Sequence, residues 1–397
     1  MFNFSCVTLS LAALGVSATL SATEYIGGSI TTETGIDFTP MLQTRLSHDN
    51  NIASTSEHAM SSWLLAVTPL LRAQLKKGPD EFSATARLAR GHYMSSSDDN
   101  YLDFFLGADA KVELNENNRF DLDITYRSGH EKRGTGVSEG MGNALQEPVT
   151  FEVSDVDVDY EYGALSTPAR LRLMAGWYDK AYSSHGNLTR YRSYQRFSYG
   201  AAFYYNTQAS IRLLSEVTRA DINYEQTDPT GNRDNTTTSY RMGMEWQATA
   251  LTSAGVRFGY QHKDFESLGR EDFKGLTWQA SLAYAPLSYS QWRLSTGRLA
   301  KEPNVQGDYV EETLYGISWR HNWSELLAST IRFAYSCEDF AGSGRSDKTR
   351  ELSLAVSYLL RANMLLTAGT DLSRKVSTAR HIRFDKNIFY VGVQAGL

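Results

Sequence analysis

The sequence has few cysteines, few prolines and no long apolar run beyond its first residues, and each shortage excludes a class of structure. It contains 2 cysteines in 397 residues. Cys6 lies in an apolar N-terminal stretch and leaves Cys337 alone, so no intrachain disulfide is expected in the rest of the chain. No later apolar run approaches the roughly 20 residues of a membrane-spanning helix. The net charge of -6 argues against nucleic acid as a partner.

The N-terminal stretch is typical of an export signal. CVTLSLAALGVSATLSA (6–22) is apolar and uncharged, and small residues offer cleavage after Ala18 or Ala22. The preceding MFNFS lacks the usual Lys or Arg, and a buried first helix is the alternative interpretation. We predict a signal peptide over 1–22, a short periplasmic segment over 23–36 and one domain over 37–397.

The rest of the chain alternates between apolar and polar residues. In RFDLDITYRSGH (119–130), Phe, Leu, Ile and Tyr alternate with Asp, Thr and Arg, which is the two-residue period of a strand. The 23 Tyr, 17 Phe and 7 Trp also suit pleated, membrane-facing surfaces, whereas only 8 Pro interrupt them. The pattern predicts about eighteen strands, with sixteen as the alternative. We place them near 37–47, 61–76, 81–94, 100–115, 118–129, 148–162, 170–181, 191–206, 209–221, 237–249, 252–264, 272–285, 288–300, 309–322, 325–338, 349–361, 363–375 and 385–397.

The predicted connections alternate in length, which favours a membrane barrel over a soluble sandwich. Turns such as NENN (115–118) and APLS (285–288) are short, whereas HEKRGTGVSEGMGNALQE (130–147) and DFAGSGRSDKTRE (339–351) are long and polar. A sheet in lipid must close on itself, because lipid offers no partner for an unpaired backbone group. We therefore predict an all-β, closed antiparallel transmembrane barrel in the outer membrane of a Gram-negative bacterium, with both termini periplasmic. The periplasmic aromatic girdle is predicted at Trp246, Trp292, Trp319 and Trp323.

Residues of the polar phase are predicted to line the pore. On three successive strands this phase is charged, and acidic and basic side chains on neighbouring strands are placed to pair across the sheet. The candidate pore-lining residues are Asp121, Asp123, Arg127, Asp155, Asp157, Asp159, Glu161, Arg170 and Arg172. The alternative interpretation is that any wide barrel balances charges in a polar interior. The 130–147 loop is the best candidate for an internal constriction, because it is long and rich in glycine.

No motif predicts catalysis, a cofactor or a metal. The eight histidines fall mostly in loops or near strand ends, and His185 in SSHGN (183–187) is more typical of a loop residue than of a catalytic base. No phosphate-binding glycine loop or zinc-binding His pair is present. DPTGNRD (228–234) lacks the acidic ligand that a calcium loop needs at the right distance.

Six stretches resemble the β-barrel porin family of exopolysaccharide gene clusters, the VpsM-like barrels. They are FTPMLQTRLSHDNNI (38–52), VTPLLRAQL (67–75), DDNYLDFFLGADAKVELNENNRFDLDITYRSGHEKRGT (98–135), TRYRSYQRFSYGAAFYY (189–205), RDNTTTSYRMGMEWQATALTSAGVRFGYQHKDF (233–265) and FKGLTWQASLAYAPLSYSQWRL (273–294). The resemblance spans most of the chain and implies an outer-membrane conduit for a secreted polysaccharide, acting with a periplasmic polysaccharide-export protein. It brings no catalytic residues.

The expected partners are outer-membrane lipid and the barrel-assembly machinery. This machinery recognises the final strand of a barrel, here FYVGVQAGL (389–397), and that strand usually ends in an aromatic residue, whereas this one ends in Leu397. Passive exopolysaccharide secretion is the leading hypothesis, and a general or small-solute porin is the second. An outer-membrane enzyme would need His, Ser or carboxylate groups gathered at one rim. An adhesin would need larger loops than these.

Overall fold

The computed structural model describes residues 28–207 and 210–396. The predicted signal peptide over 1–22 lies outside the described residues, as do residues 23–27 of the predicted periplasmic segment. Nineteen strands occur in the described part. They are β1 (Ile30–Thr31), β2 (Ile36–Asp49), β3 (Ser62–Lys77), β4 (Asp80–Tyr93), β5 (Tyr101–Asn115), β6 (Asn118–Glu131), β7 (Val149–Tyr162), β8 (Ala169–Tyr182), β9 (Tyr194–Asn206), β10 (Ile211–Tyr224), β11 (Asn235–Thr249), β12 (Thr252–Phe265), β13 (Phe273–Leu287), β14 (Ser290–Lys301), β15 (Val310–Asn322), β16 (Leu327–Phe340), β17 (Arg345–Arg361), β18 (Met364–Ser377) and β19 (Phe384–Gly396).

Among the residues that the structure describes, helical structure is confined to single turns between strands. An α-helical turn spans Gly186–Thr189, and 3-10 turns span Ser97–Asp99, Gly136–Ser138 and Arg380–Ile382. None of the described helices has the length and apolar character needed to cross a membrane.

The sheet closes into a barrel because its last strand pairs with β2. Each strand from β2 to β19 pairs antiparallel with its neighbour in sequence, and the ladder from Ile388–Asp49 to Gly396–Met41 joins β19 to β2. The predicted eighteen-strand closed barrel is confirmed, and the sixteen-strand alternative is excluded. The additional strand β1 pairs only with β2, through Ile30 opposite Phe38 and Thr31 opposite Asp37.

The two rims differ in the length of their connections, as the sequence predicts. The rim that carries β1 has turns as short as 78–79 and 116–117, whereas the opposite, extracellular rim includes 50–61, 132–148 and 183–193. One predicted loop is wrong. Residues 345–351 belong to β17, and only 341–344 connect it to β16. The run of charges suggested a loop, but Arg345 and Asp347 point inward and bind each other there.

The strands separate an apolar face from a polar one. Large apolar side chains of one phase are exposed on the outside of the barrel, for example Phe104, Leu173 and Val391. In a bilayer this surface contacts lipid. The predicted tryptophan girdle lies at the short-turn rim, where Trp292 and Trp319 stack at 5.6 Å and Trp323 packs edge-on against Trp319.

Candidate functional site in the barrel lumen

The nine predicted pore-lining residues all fall on the inward phase of β6, β7 and β8. Asp121 stands opposite Asp159, and Asp123 stands opposite Asp157. These strands therefore carry carboxylates side by side at the same height of the wall. The placement agrees with the prediction, and their contribution to a conducting path stays a prediction.

Near the periplasmic rim, arginines compensate the negative charge of the acidic pairs. Arg172 binds Asp159 and lies 3.9 Å from Asp121. Both Arg170 and Arg119 donate to Oε1 of Glu161, each at 2.7 Å. The cross-strand pairing expected from the sequence thus occurs, and Arg119 is an additional member that the sequence reasoning did not include. A cation beside two facing carboxylates removes most of their mutual repulsion.

Higher in the barrel the acidic residues have no arginine between them. Asp109, Asp123 and Asp157 occupy consecutive register positions on β5, β6 and β7. Asp155 lies next along β7, and its buried Oδ1 has no hydrogen-bond partner. Such a band favours cations in the adjacent solution. Within 28–207 and 210–396, no group of three or more His, Cys, Asp or Glu side chains is arranged to hold a metal ion.

Cations lie over aromatic rings along the inward wall, a feature that the sequence analysis missed. The pairs and their distances to the ring centre are Arg45 and Tyr390 at 3.7 Å, Arg87 and Phe105 at 5.1 Å, Arg127 and Phe151 at 4.9 Å, Arg196 and Tyr178 at 4.7 Å, Arg212 and Tyr204 at 5.0 Å, and Lys180 and Tyr182 at 4.5 Å. A cation within about 6 Å of a ring centre is attracted to the ring face. The sequence indicated that the inward phase is polar. It did not indicate five of these pairs, because their partners lie on different strands and meet only through the register. Lys180 and Tyr182 lie on the same strand, β8.

Two aromatic rings lie flat on the wall because glycine stands beside them. A Cβ at Gly91 would come within 2.1 Å of the Tyr101 ring, and one at Gly369 within 2.6 Å of the Tyr390 hydroxyl. Rings that cover strand glycines in this way lie along the sheet rather than across the lumen. Tyr178, Tyr194 and Tyr224 continue the aromatic surface on β8, β9 and β10, with ring centres 5.6 and 5.4 Å apart.

The loop over residues 132–148 folds into the extracellular end of the barrel. Its Glu139 accepts a 2.5 Å hydrogen bond from Arg345 on β17 and also binds Lys375 on β18. The same loop is held at its start, where Arg133 binds Asp99 and donates to the Leu145 carbonyl at 2.9 Å. The Glu139 contacts join sequence positions 206 and 236 residues apart. The predicted internal loop is therefore present, although its effect on passage stays a prediction.

Glu139 binds into a buried charge network on the inward wall. Lys375 lies 3.0 Å from Asp347 and 3.7 Å from Glu338, and Lys301 bridges Glu338 and Glu312 at 2.7 and 2.6 Å. Asp347 is fully buried. A buried charge is tolerated when it is paired and hydrogen-bonded, so the network anchors Glu139 to a rigid part of the barrel.

Loop burial also changes acid–base behaviour. Burial, together with the nearby Lys386, lowers the pKa of Lys132 to about 8. In the 225–234 loop, burial alone would raise the pKa of Asp228, but hydrogen bonds from Arg233 and Thr230 hold that pKa well below its usual value. The Asp228 carboxylate is thus occupied by protein donors, in line with the expectation that DPTGNRD is not a calcium loop.

The one histidine considered for catalysis lies in a surface depression. His185 adopts a left-handed conformation at φ 52° and lines a cavity of about 460 Å³ with Asp98 and Glu147. These are extracellular loop residues rather than lumenal ones. We find no serine or cysteine nucleophile among the residues that line this cavity.

Comparison with solved structures agrees at the level of the fold. OccK2 (OpdF) of Pseudomonas aeruginosa has 11% sequence identity and a TM-score of 0.51, with 91% of this chain and 98% of that chain covered. OpdK of the same organism, solved with vanillate, has 12% identity and a TM-score of 0.48, with 91% and 98% covered. The FrpB iron transporter from Neisseria meningitidis has 11% identity and a TM-score of 0.47, with 85% and 62% covered. No curated protein matches the sequence.

A family model matches nearly the whole described barrel. It covers residues 37–396 and carries the description "Putative beta-barrel porin 2". The matched range begins at the second residue of β2 and ends with β19, so the similarity and the closed sheet have the same extent. The chain belongs to this family of β-barrel porins and is a protein of the Gram-negative outer membrane.

Proposed function

We propose that this porin is a saccharide conduit through which an exopolysaccharide leaves the cell, acting with a periplasmic polysaccharide-export protein. The observation that carries the proposal is the series of cation–aromatic pairs on the inward wall, from Arg45 and Tyr390 on one side to Arg196 and Tyr178 on another. The resemblance to barrels of exopolysaccharide gene clusters supports the same function.

Sugars are suited to such a wall for a physical reason. The C–H groups of a sugar ring form an apolar face that can stack on an aromatic ring, while its hydroxyl or carboxylate groups hydrogen-bond to neighbouring charged side chains. Each contact is weak, and a polymer can exchange one site for the next. Rings that lie flat on the wall, as at Tyr101 and Tyr390, do not obstruct the lumen.

The periplasmic partner is proposed because the barrel has little structure on that side. The longest described connection between barrel strands at the short-turn rim spans residues 163–168, and β1 contributes two further residues of strand on this side. A partner would supply the periplasmic part of the path. We propose no catalytic step, since the described lumen offers binding groups that a passing solute needs and the family is one of porins.

A small-solute porin is the second candidate, favoured by the tethered loop. Glu139 holds the 132–148 loop against β17 and β18, so the loop lies across the extracellular end in this conformation. A polymer would need the loop to move, whereas a small sugar or acid would pass beside it.

Deletion of the gene tests the two candidates. Export predicts that polysaccharide disappears outside the cell and accumulates in the periplasm, and the wild-type gene should restore secretion. Complementation with Tyr178→Leu/Tyr390→Leu should restore it only in part. The matched control is Tyr199→Leu/Tyr240→Leu, which removes two tyrosines from the lipid-facing surface. Unchanged secretion together with reduced uptake of small sugars would contradict export and support the small-solute porin.

A further inference from the structure

The lipid-facing surface carries an unusual group of cations at the extracellular ends of β17 and β18. Lys348, Arg350 and Arg374 are exposed. They share the strand phases of the exposed Leu354 and Val376, so they lie on the outside of the barrel. We call Lys348, Arg350 and Arg374 the outer basic cluster.

Register places two of these cations directly against each other. Arg350 on β17 is the Cα partner of Arg374 on β18, and Lys348 is opposite Val376, two pairs nearer the extracellular rim. Like charges directly opposite on neighbouring strands destabilise a sheet. Two carboxylates lie on the same outer surface: Asp385, 3.4 Å from Arg374, and Asp339 on β16, opposite Ser346. Both are exposed, so they offset the cluster only weakly.

Two other outward cations of this barrel have a carboxylate beside them. Arg298 on β14 binds Glu311 on β15, and Arg219 on β10 lies 3.3 Å from Asp221. Each is matched by one carboxylate. The outer basic cluster instead gathers three cations, and the loop directly above β18 adds the exposed Arg380 and Arg383. The local excess of positive charge calls for an anion from outside the chain.

The position of the cluster along the barrel axis indicates which anion is available to it. Arg350 is opposite Tyr335 in the sheet, its guanidinium lies 5.8 Å from the centre of that ring, and Tyr335 stacks with Tyr315. Tyr315 is exposed and Tyr335 is half-buried. Tyrosines on the outer surface of the extracellular half of a barrel mark the boundary between acyl chains and headgroups. The cluster thus lies at the level of the headgroups in the outer leaflet, where the abundant anions are phosphates.

We propose that Lys348, Arg350 and Arg374 form a docking site for a phosphorylated glycolipid of the outer leaflet. Guanidinium groups bind phosphate through paired, charge-assisted hydrogen bonds. One phosphate between Arg350 and Arg374 would replace their repulsion with two attractions, and Lys348 would bind a second phosphate or the same one from above. The acyl chains would lie on the apolar surface below, beside Leu354 and Val356.

The test uses the full-length protein purified from outer membranes and a defined diphosphorylated glycolipid, with binding followed by native mass spectrometry. We expect Arg350→Gln/Arg374→Gln to weaken binding at least about tenfold, because the charge-assisted bonds to phosphate are lost. The matched control is Arg90→Gln/Lys274→Gln, which removes two exposed outward cations from β4 and β13 and should bind like the wild type.

Three further measurements make the result decisive. The dephosphorylated glycolipid should bind the wild type as weakly as the diphosphorylated lipid binds the double variant, and inorganic phosphate at the lipid's concentration should not compete. Arg350→Lys/Arg374→Lys, which keeps the charge, should retain part of the affinity and covers the case in which the Gln variant fails to fold. Equal binding by the Gln variant and the control, or equal binding of both lipids to the wild type, would overturn the proposal.

Discussion

At the scale of single residues, the lumen is organised by which carboxylates have a cation beside them. The facing pair Asp121 and Asp159 has Arg172, whereas Asp123 and Asp157, one step higher, face each other without one. The two facing aspartate pairs therefore have different electrostatic environments, although only one residue pair of the β6–β7 ladder lies between them.

Removal of Arg172 should extend the unpaired acidic band toward the periplasm. In Arg172→Gln, Asp121 and Asp159 lose their shared cation, and we expect the cation-to-anion permeability ratio to rise about twofold. Reversal potentials across planar bilayers in a salt gradient measure this ratio. Arg219→Gln, which removes an exposed outward arginine, serves as the control. An unchanged ratio in both variants would show that this part of the wall does not line the ion path.

Lys132 should make ion selectivity depend on pH. Because burial and Lys386 lower its pKa to about 8, Lys132 is charged below that pH and neutral above it. Raising the pH from about 7 to about 9 should therefore remove one positive charge and increase cation preference, where an ordinary lysine would not yet titrate. Lys132→Met should abolish most of this change. The prediction is wrong if the variant and the wild type respond to pH alike.

At the scale of elements, the decisive feature is a loop held by strands distant in sequence. The glycine-rich composition of 130–147 indicated an internal loop, and the boundaries differ by two residues or fewer from the observed 132–148. Its partners were not predictable. Arg345 was assigned to a loop because SGRSDKTRE carries alternating charges without apolar residues. In the barrel, Arg345 and Asp347 bind each other inside, whereas Lys348 and Arg350 lie on the outer face.

Glu139→Gln should loosen the loop. The change weakens the bonds to Arg345 and Lys375, and hydrogen bonds to charged groups contribute roughly 1.5–3 kcal/mol each. We expect a larger mean single-channel conductance and more frequent transitions between levels. Glu147→Gln removes the same charge from an exposed position of the same loop and should leave both properties unchanged. Equal conductance changes in the two variants would indicate a simple charge effect.

At the scale of the whole molecule, closure is what makes the sheet compatible with lipid. Every barrel strand has two neighbours, and the pairing of β19 with β2 removes the last open edges. By contrast, β1 touches the ring through two residue pairs with β2.

Deletion of the two ends of the described chain should therefore have opposite effects. Removal of residues 384–397 leaves the edges of β2 and β18 unpaired, and we expect no folded barrel in the outer membrane. Removal of residues 28–35, with residues 1–27 kept, deletes β1 and should leave a folded barrel. The heat-dependent mobility shift of folded barrels in detergent gels distinguishes the outcomes. A folded product after the first deletion would show that closure can occur without β19.

The alternation of apolar and polar residues was enough to determine the strands, the two faces and the unequal rims. These features depend on neighbours within a few positions, because successive side chains of a strand leave on opposite sides and turns need only a few residues. The tertiary structure alone decided which side chains meet: Arg172 with Asp159, Glu139 with Arg345, Arg350 beside Arg374. Such partners depend on the register between strands and on the path of a loop across the barrel, and neither is encoded in the period of a single strand.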